Sequence, residues 1–252
     1  MPTPLSVVII TLNEEQHIQR CIESVKGISD DIIVVDDFSS DRTPEICRSL
    51  GVQFVQKEWE GYGLNKNHGN DLAQHDWVLS IDADEALSPE LATNIQAVLQ
   101  NPTEVAFDLP FMTNYCGQWI KHGRWFPEFH IRLFHRHKVK WNTDDVHEGL
   151  MLPPGGKVTR LKGFVHHYTI DSIQSHIQKV NHYSSLAADK MFKKGRKASF
   201  VKLYLNPPSK FVIDYFFRMG FLDGFHGLCI AAITSFETFL KYAKLRALWR
   251  GK

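Results

Sequence analysis

The first hundred residues alternate between short apolar β-rich runs and amphipathic stretches of helical period. No other feature limits the fold as much. Leu5–Thr11 and Asp31–Asp36 read as buried parallel strands, because near-continuous Val and Ile mark strands covered on both faces. Val52–Val55 and Trp77–Ile81 read as a third and a fourth. Asn13 is placed to cap the first helix, with Glu14 and Glu15 in its opening turn and Ile18, Cys21, Ile22 and Val25 at helical spacing. Ser40 or Asp41 caps a second helix through Leu50, with Gly51 just past its end. A third helix is predicted over residues 63–73, and Pro89 opens a fourth that runs to about Gln100. This order predicts an α/β fold: a mostly parallel, twisted sheet with helices on both faces. Ligands of such sheets bind at the carboxyl ends of the strands. The segments Thr11–Glu14, Asp36–Asp41 and Asp82–Glu85 are therefore the first candidates for a site.

After about Val105 the pattern turns irregular and aromatic. Short strands are predicted at residues 106–110, 130–134 and 163–167, and a long helix at 172–194, with no internal repeat or low-complexity linker. At 252 residues and 43% hydrophobic content, the chain is long and apolar enough to bury a sizeable core, which excludes a disordered chain. Its net charge of +1 conceals an asymmetry. Residues 189–252 hold 13 Lys and Arg against 4 Asp and Glu, whereas the preceding residues hold 16 against 24. The basic quarter points to an anionic surface, and no nucleic-acid partner is expected.

Cys21, Cys47, Cys116 and Cys229 are too far apart to form a metal clip or redox pair, and are expected to be idle thiols in a reducing compartment. The opening Met-Pro-Thr-Pro lacks the basic region of a signal peptide. No apolar run reaches the roughly 18 residues of a membrane span, and the nearest, Gly227–Phe236, stops at Glu237. A cytoplasmic protein is expected, with peripheral contact to the inner face of the cytoplasmic membrane left open.

Ser80-Ile-Asp82-Ala-Asp84-Glu85 sets three acids at a strand end. Strand alternation aims Asp82 and Asp84 the same way. Carboxylates so close repel unless a cation lies between them, and hard oxygen ligands suit Mg²⁺ or Mn²⁺. The alternative is an acidic turn leading into the helix at Pro89. Asp36, Asp37 and Asp41 form a second acidic cluster, able to accept hydrogen bonds from a ribose or base or merely to shape a turn.

Four segments together resemble family 2 glycosyltransferases with the GT-A fold: residues 6–14, 35–43, 66–70 and 80–85, in the family's order and at its intervals. The resemblance implies a nucleotide-sugar-binding fold with a helical C-terminal appendage. It also implies transfer of a hexose from a nucleotide sugar, with UDP the expected nucleotide, onto a hydroxyl of a glycan or lipid-linked acceptor. Thr11, Leu12, Asn13 and Glu14 would line the nucleotide pocket. Asp37 would bind the base or ribose, Lys66 and Asn70 would contact the donor, and Asp82 and Ala83 would lie along it. Asp84 would be the direct ligand of Mn²⁺ or Mg²⁺. A late histidine often completes the metal shell in GT-A enzymes, and His166 or His167 would fill that place. Neighbours on a strand face opposite ways, so only one of the two can do so.

An inverting transfer needs a base for the acceptor hydroxyl and charge neutralisation on the departing diphosphate. Enzymes resembling lipopolysaccharide-core sugar transferases carry an Arg-Leu-Phe segment followed by a His-Glu pair. Here these are Arg132-Leu-Phe134 and His147-Glu148. Glu148 is assigned as the base, with Asp144 and Asp145 as competitors, and His147 is placed with the acceptor. Arg132 would contact the diphosphate through its planar guanidinium. Trp125 is assigned to stack on an acceptor sugar, with Trp119 and Phe126 as alternatives and core packing as the other reading of all three rings.

The expected organisation is a catalytic domain over 1–195, split near residue 104 into donor and acceptor halves, followed by a basic, aromatic helical segment over 196–252. That segment either lies on an anionic membrane surface or packs on the domain or on a second copy of the chain. A sugar nucleotidyltransferase is the rival enzyme, but it would need a glycine-rich basic loop where Thr11-Leu-Asn-Glu14 stands. A non-catalytic sugar-nucleotide-binding protein would be marked by loss of the acids, and all are present.

Overall fold

The computed structural model describes residues 3–142 and 149–251. The chain forms two compact units, Met1–Phe111 with Glu128–Tyr168, and Met112–Pro127 with Thr169–Lys252.

The first unit opens with the expected alternation: β1 (Leu5–Thr11), α1 (Ile18–Val25), β2 (Asp31–Asp36), α2 (Thr43–Ser49), β3 (Gln53–Gln56), α3 (Tyr62–Leu72) and β4 (Trp77–Asp82). The chain continues through β5 (Glu85–Leu87), α4 (Pro89–Val98), β6 (Ala106–Tyr115), β7 (Gln118–Trp119), β8 (Glu128–His135), β9 (Lys140–Trp141), β10 (Leu150–Met151), β11 (Val158–Arg160) and β12 (Val165–Ile170). The sheet order is β3-β2-β1-β4-β8-β6-β12-β5, with β11 also on β6. β1 pairs in parallel with both β2 and β4, while β8 runs antiparallel to β4. Every residue of β1 and β2 is buried, which explains their unbroken apolar sequences. One face packs on α1 and α4 through Ile18, Ile22, Leu91 and Ile95, and the other carries Val8, Val35, Val78 and Trp141. Gly69 lets α3 lie close on β1, since a Cβ there would sit 2.3 Å from Val8 Cγ1.

Three local expectations are corrected. Asn13 does not cap α1: that helix begins five residues later with no side-chain cap, and Asn13 adopts φ 54° in a loop. Glu14 and Glu15 consequently fall outside its first turn. Finally, β4 ends at Asp82 and the chain turns at Ala83 and Asp84, so strand alternation does not orient these two acids. Other signals act as read: Pro89 opens α4, where the structure adds a Ser88 cap, and Gly51 has φ 72° just past α2.

In the second unit the end of β6 pairs with β7 through Asn114–Trp119 and Tyr115–Gln118. A long helix, α5 (Ile173–Lys193), starts from a Ser172–Ser175 capping box. A π-helical turn at Val201–Leu205 leads into α6 (Asn206–Val212), and a second at Ile213–Phe217 precedes the 27-residue α7 (Gly224–Arg250). Among the described residues no single helix is long and apolar enough to cross a membrane.

Candidate active site

The loops after β1 and β2 meet at the carboxyl edge of the sheet. Asn13 tolerates its positive φ because its short amide finds local partners. Asn13 Oδ1 accepts from Ser40 N at 2.8 Å, and Ser39 Oγ accepts from Asn13 N at 2.7 Å. Glu14 N donates to Thr43 Oγ1 and Glu15 N to Asp41 Oδ2. Asp41 also accepts from Thr43 N at 2.9 Å in the turn ahead of α2, but the N-cap of that helix is Arg42 with no side-chain cap, so neither Ser40 nor Asp41 caps it as expected. Asp36 is fully buried and accepts from Ser39 N and Gln56 Nε2. The half-buried Asp37, whose N–H donates to Thr11 O, stands beside it. Thr11 is buried and Leu12 exposed.

At the end of β4 lies a buried charge cluster. Lys66, on α3, is fully buried and reaches Asp82 Oδ1 at 3.1 Å, with its ammonium over the Trp141 ring. Arg132, on β8, bridges Asp82 Oδ2 at 3.2 Å and Glu85 Oε1 at 3.0 Å. Glu85 Oε2 accepts from Asp82 N. Burial opposes charge on Asp82, but Lys66 and Arg132 outweigh it and hold the carboxyl well below its usual range. Glu85 goes the other way: burial raises it, and Arg132 offsets only part of that. Lys66 and Arg132, both predicted to touch the donor, thus have ion-pair partners within the protein. Asn70 is buried with its carbonyl oxygen accepting from Arg136, and Ala83 is buried with its N–H on Ile10 O.

The turn places Asp84 against the late histidines. β12 runs antiparallel to β5, with His167 opposite Glu85 and His166 opposite Ala86. His167 Nε2 lies 3.2 Å from Asp84 Oδ2, and Tyr168 N donates to Asp84 O. Burial works against an imidazolium at His167, yet Asp84, Glu85 and Asp82 raise it to about 9. His166 is lowered by burial. Of the two histidines, His167 is the one that meets Asp84. Among the described residues no group of three His, Cys, Asp or Glu side chains is spaced to hold a metal ion. Asp84 and His167, an ion pair here, would fit a cation as a carboxylate–imidazole pair only with the imidazolium proton displaced, and Mg²⁺-type sites commonly take their remaining oxygens from substrate phosphates and water.

Asp82, Glu85, Arg132 and His167 line a cleft of about 510 Å³ together with Phe111, Glu128, His130 and Trp141. Glu128 and His130 pair at 3.0 Å, a hydrogen bond that, against burial, lowers the Glu128 carboxyl. Sequence reasoning missed both. They alternate along β8 as Glu-Phe-His, a signal that becomes informative only once the strand is known to border a cleft. Trp141, Gly149 and Leu150, on either side of residues 143–148, also line it. Asn142 N donates to Gly149 O at 2.8 Å. Asp144, Asp145, His147 and Glu148 lie outside the described residues. Trp125 belongs to the second unit, where its ring packs edge-on against Tyr115 and His176, 5.7 Å and 5.3 Å away.

The sequence profile described as glycosyl transferase family 2 matches residues 6–152. A Rickettsia typhi protein named an uncharacterized glycosyltransferase is 35% identical over 97% of this chain and 87% of its own length. LpsC of Rhizobium meliloti, named a lipopolysaccharide core biosynthesis glycosyltransferase, is 30% identical over 97% of this chain and 94% of its own. The crystal structure of TarS from S. aureus matches with a TM-score of 0.51 over 96% of this chain and 55% of that one, at 14% identity, a likeness of fold alone. The fold is of the GT-A type and the molecule is a glycosyltransferase. The chain belongs to glycosyl transferase family 2.

Proposed function

We propose that this glycosyltransferase moves a hexose from a UDP-sugar, with inversion, onto a hydroxyl of a lipopolysaccharide-core glycan or a lipid-linked acceptor. The observation that carries the reading is the Asp84–His167 pair beside the buried Asp82–Lys66–Arg132 cluster, at the strand ends where α/β sheets bind ligands. The name and full-length similarity of LpsC support the core glycan as acceptor.

Thr11, Leu12, Asn13, Glu14 and Asp37 receive the nucleoside, on loops held rigid by the hydrogen bonds between residues 13–15 and 39–43. Lys66 and Arg132 keep Asp82 ionised and fixed, so its carboxylate and the adjoining Ala83 are pre-set before the donor arrives. Asp84 and His167 would hold Mn²⁺ or Mg²⁺, and the bound ion would supply positive charge for the departing diphosphate. Glu148 takes the proton from the acceptor hydroxyl as that oxygen attacks the anomeric carbon, with His147 beside the acceptor.

The test is thermal unfolding with UDP, with and without Mn²⁺. UDP raises the midpoint only when the metal is present, because a ligand that binds the native state stabilises it by mass action. The Asp84→Asn variant still unfolds cooperatively, at a lower ligand-free midpoint because His167 loses its ion-pair partner, and its midpoint no longer responds to the metal. Equal shifts in EDTA and Mn²⁺ overturn the assignment.

A further inference from the structure

The second unit carries a surface that catalysis does not use. From Lys190 to Ile213 there are seven Lys and Arg and no acid. Lys193, Lys194, Arg196, Lys197 and Lys202 are all exposed. Interleaved with them and just beyond lie large apolar side chains facing solvent: Phe200 is 69% exposed, Phe217 79%, and Tyr204, Leu205 and Phe216 about half. Soluble surfaces rarely leave such a density of aromatic rings uncovered.

The nearby acids are turned inward. Asp214 is buried, with Lys210 at 3.2 Å and Arg218 at 3.5 Å. Asp223 accepts from the backbone N–H groups of Lys121 and His122. Asp189, just ahead of the run, is exposed, so among the described residues the outer face is predominantly cationic and aromatic rather than free of acid. On α7 the basic residues divide, since Arg246 and Arg250 are exposed whereas Lys244 is engaged. Lys244 donates to Asn181 O and Oδ1, Ser184 Oγ and Ser185 Oγ, so it is spent inside the unit.

We infer that residues 193–217, rather than the C-terminal Lys and Arg residues, form a docking surface for an anionic lipid bilayer. Charge complementarity selects the occupant. Exposed lysines attract an anionic headgroup layer, and Phe and Tyr beside them enter the boundary between headgroups and acyl chains. The geometry is interfacial: Val201–Phe217 and Gly220–Arg250 are bent by 73° from each other and neither is a span by itself. This inference is independent of the donor, the metal and the base, because lipid binding is read without turnover.

The experiment is sedimentation of the full chain with phosphatidylcholine vesicles, with and without phosphatidylglycerol, at low and high salt. Wild type should bind the anionic vesicles at least about tenfold more strongly, and salt should reduce that binding. Each cation near an anionic surface changes partitioning about fivefold, so Lys193→Gln, Lys194→Gln and Lys202→Gln together lower it on the order of a hundredfold. Phe200→Ser with Phe217→Ser weakens binding but keeps its salt dependence. Arg246→Gln with Arg250→Gln lowers binding less than the lysine set does. Equal, salt-insensitive binding of wild type to both vesicles overturns the inference, and does so even if a variant fails to fold. A larger loss from the Arg246 and Arg250 changes than from the lysine set overturns the location. If the phenylalanine variant instead converts an oligomer to a monomer while wild type ignores lipid, the surface is a contact between copies of the chain.

Discussion

The two units handle charge and apolar surface in opposite ways. The first buries a lysine, an arginine and the Glu85 carboxylate beside a partly exposed Asp82 at the end of β4, and keeps most of its Val and Ile inside two core layers. The second has a small core around Tyr115, Ile120, Ile170 and Ile230, and sends much of its aromatic content outward. Buried charge is costly unless paired, so a unit that retains it does so for what the charge does. Exposed aromatic surface is likewise retained for what covers it. The contrast separates a unit that concentrates paired charge at a sheet edge from one that leaves aromatic rings exposed.

The sharpest way to break this contrast is to remove the base. Glu148→Gln should lower kcat about 10²–10⁴-fold with donor affinity unchanged, because a base acts only as the proton moves. Steady-state kinetics with donor binding measured separately decides it. Normal kcat with lost donor affinity would make Glu148 a binding residue and move the test to Asp144 and Asp145. Should the product keep the donor's anomeric configuration, the single displacement is wrong whichever residue is the base.

Next in size is the buried cluster. Lys66→Met leaves Asp82 with Arg132 alone and should cost about 3 kcal/mol in urea unfolding. A neutral result would mean that the cluster is solvated enough to do without its lysine.

Acid distinguishes the second unit. His176 is buried against Tyr115, whose hydroxyl is 3.0 Å from Nδ1, and burial, with Lys179 nearby, lowers it to about 4. A histidine depressed in the fold binds its proton more readily when unfolded. Its stabilisation is therefore complete above about pH 6.5 and falls away toward pH 4. Between pH 7 and 5 the second unit should lose about 2 kcal/mol. Thermal unfolding across that range should show the slope, and His176→Asn should flatten it; an unchanged slope in the variant would exclude His176 as its source.

The smallest effect concerns helix starts. Ser172→Ala removes the capping box of α5 and should cost about 1 kcal/mol. Asn13→Ala removes no helix cap, so any loss there comes from the loop and should appear in nucleotide binding.

The β/α alternation was legible because hydrophobic period is local: β1, β2 and β4 fall within a residue of their expected limits. The candidate acids were legible because strand ends are marked by where apolar runs stop. Beyond Val105 the strands belong to an antiparallel part of the sheet, and the predicted short pieces proved to be segments of longer β6 and β8. The compact units interleave, whereas a composition-based reading cuts a chain in one place.

The sequence by itself determined the strand–helix order, the acids at the ends of β2 and β4, and the basic, aromatic tail. Each is written within a few consecutive residues. Only the tertiary structure decided that Lys66 and Arg132 converge on Asp82, that His167 rather than His166 meets Asp84, and that Glu128 and His130 border the cleft. It also decided that Trp125 packs against Tyr115 and His176. The charge contacts at Asp82 and Asp84 join residues 16 to 83 positions apart. Their partners are chosen by strand register and by burial that requires every charge to find a counter-charge, neither of which is encoded in any one stretch of chain.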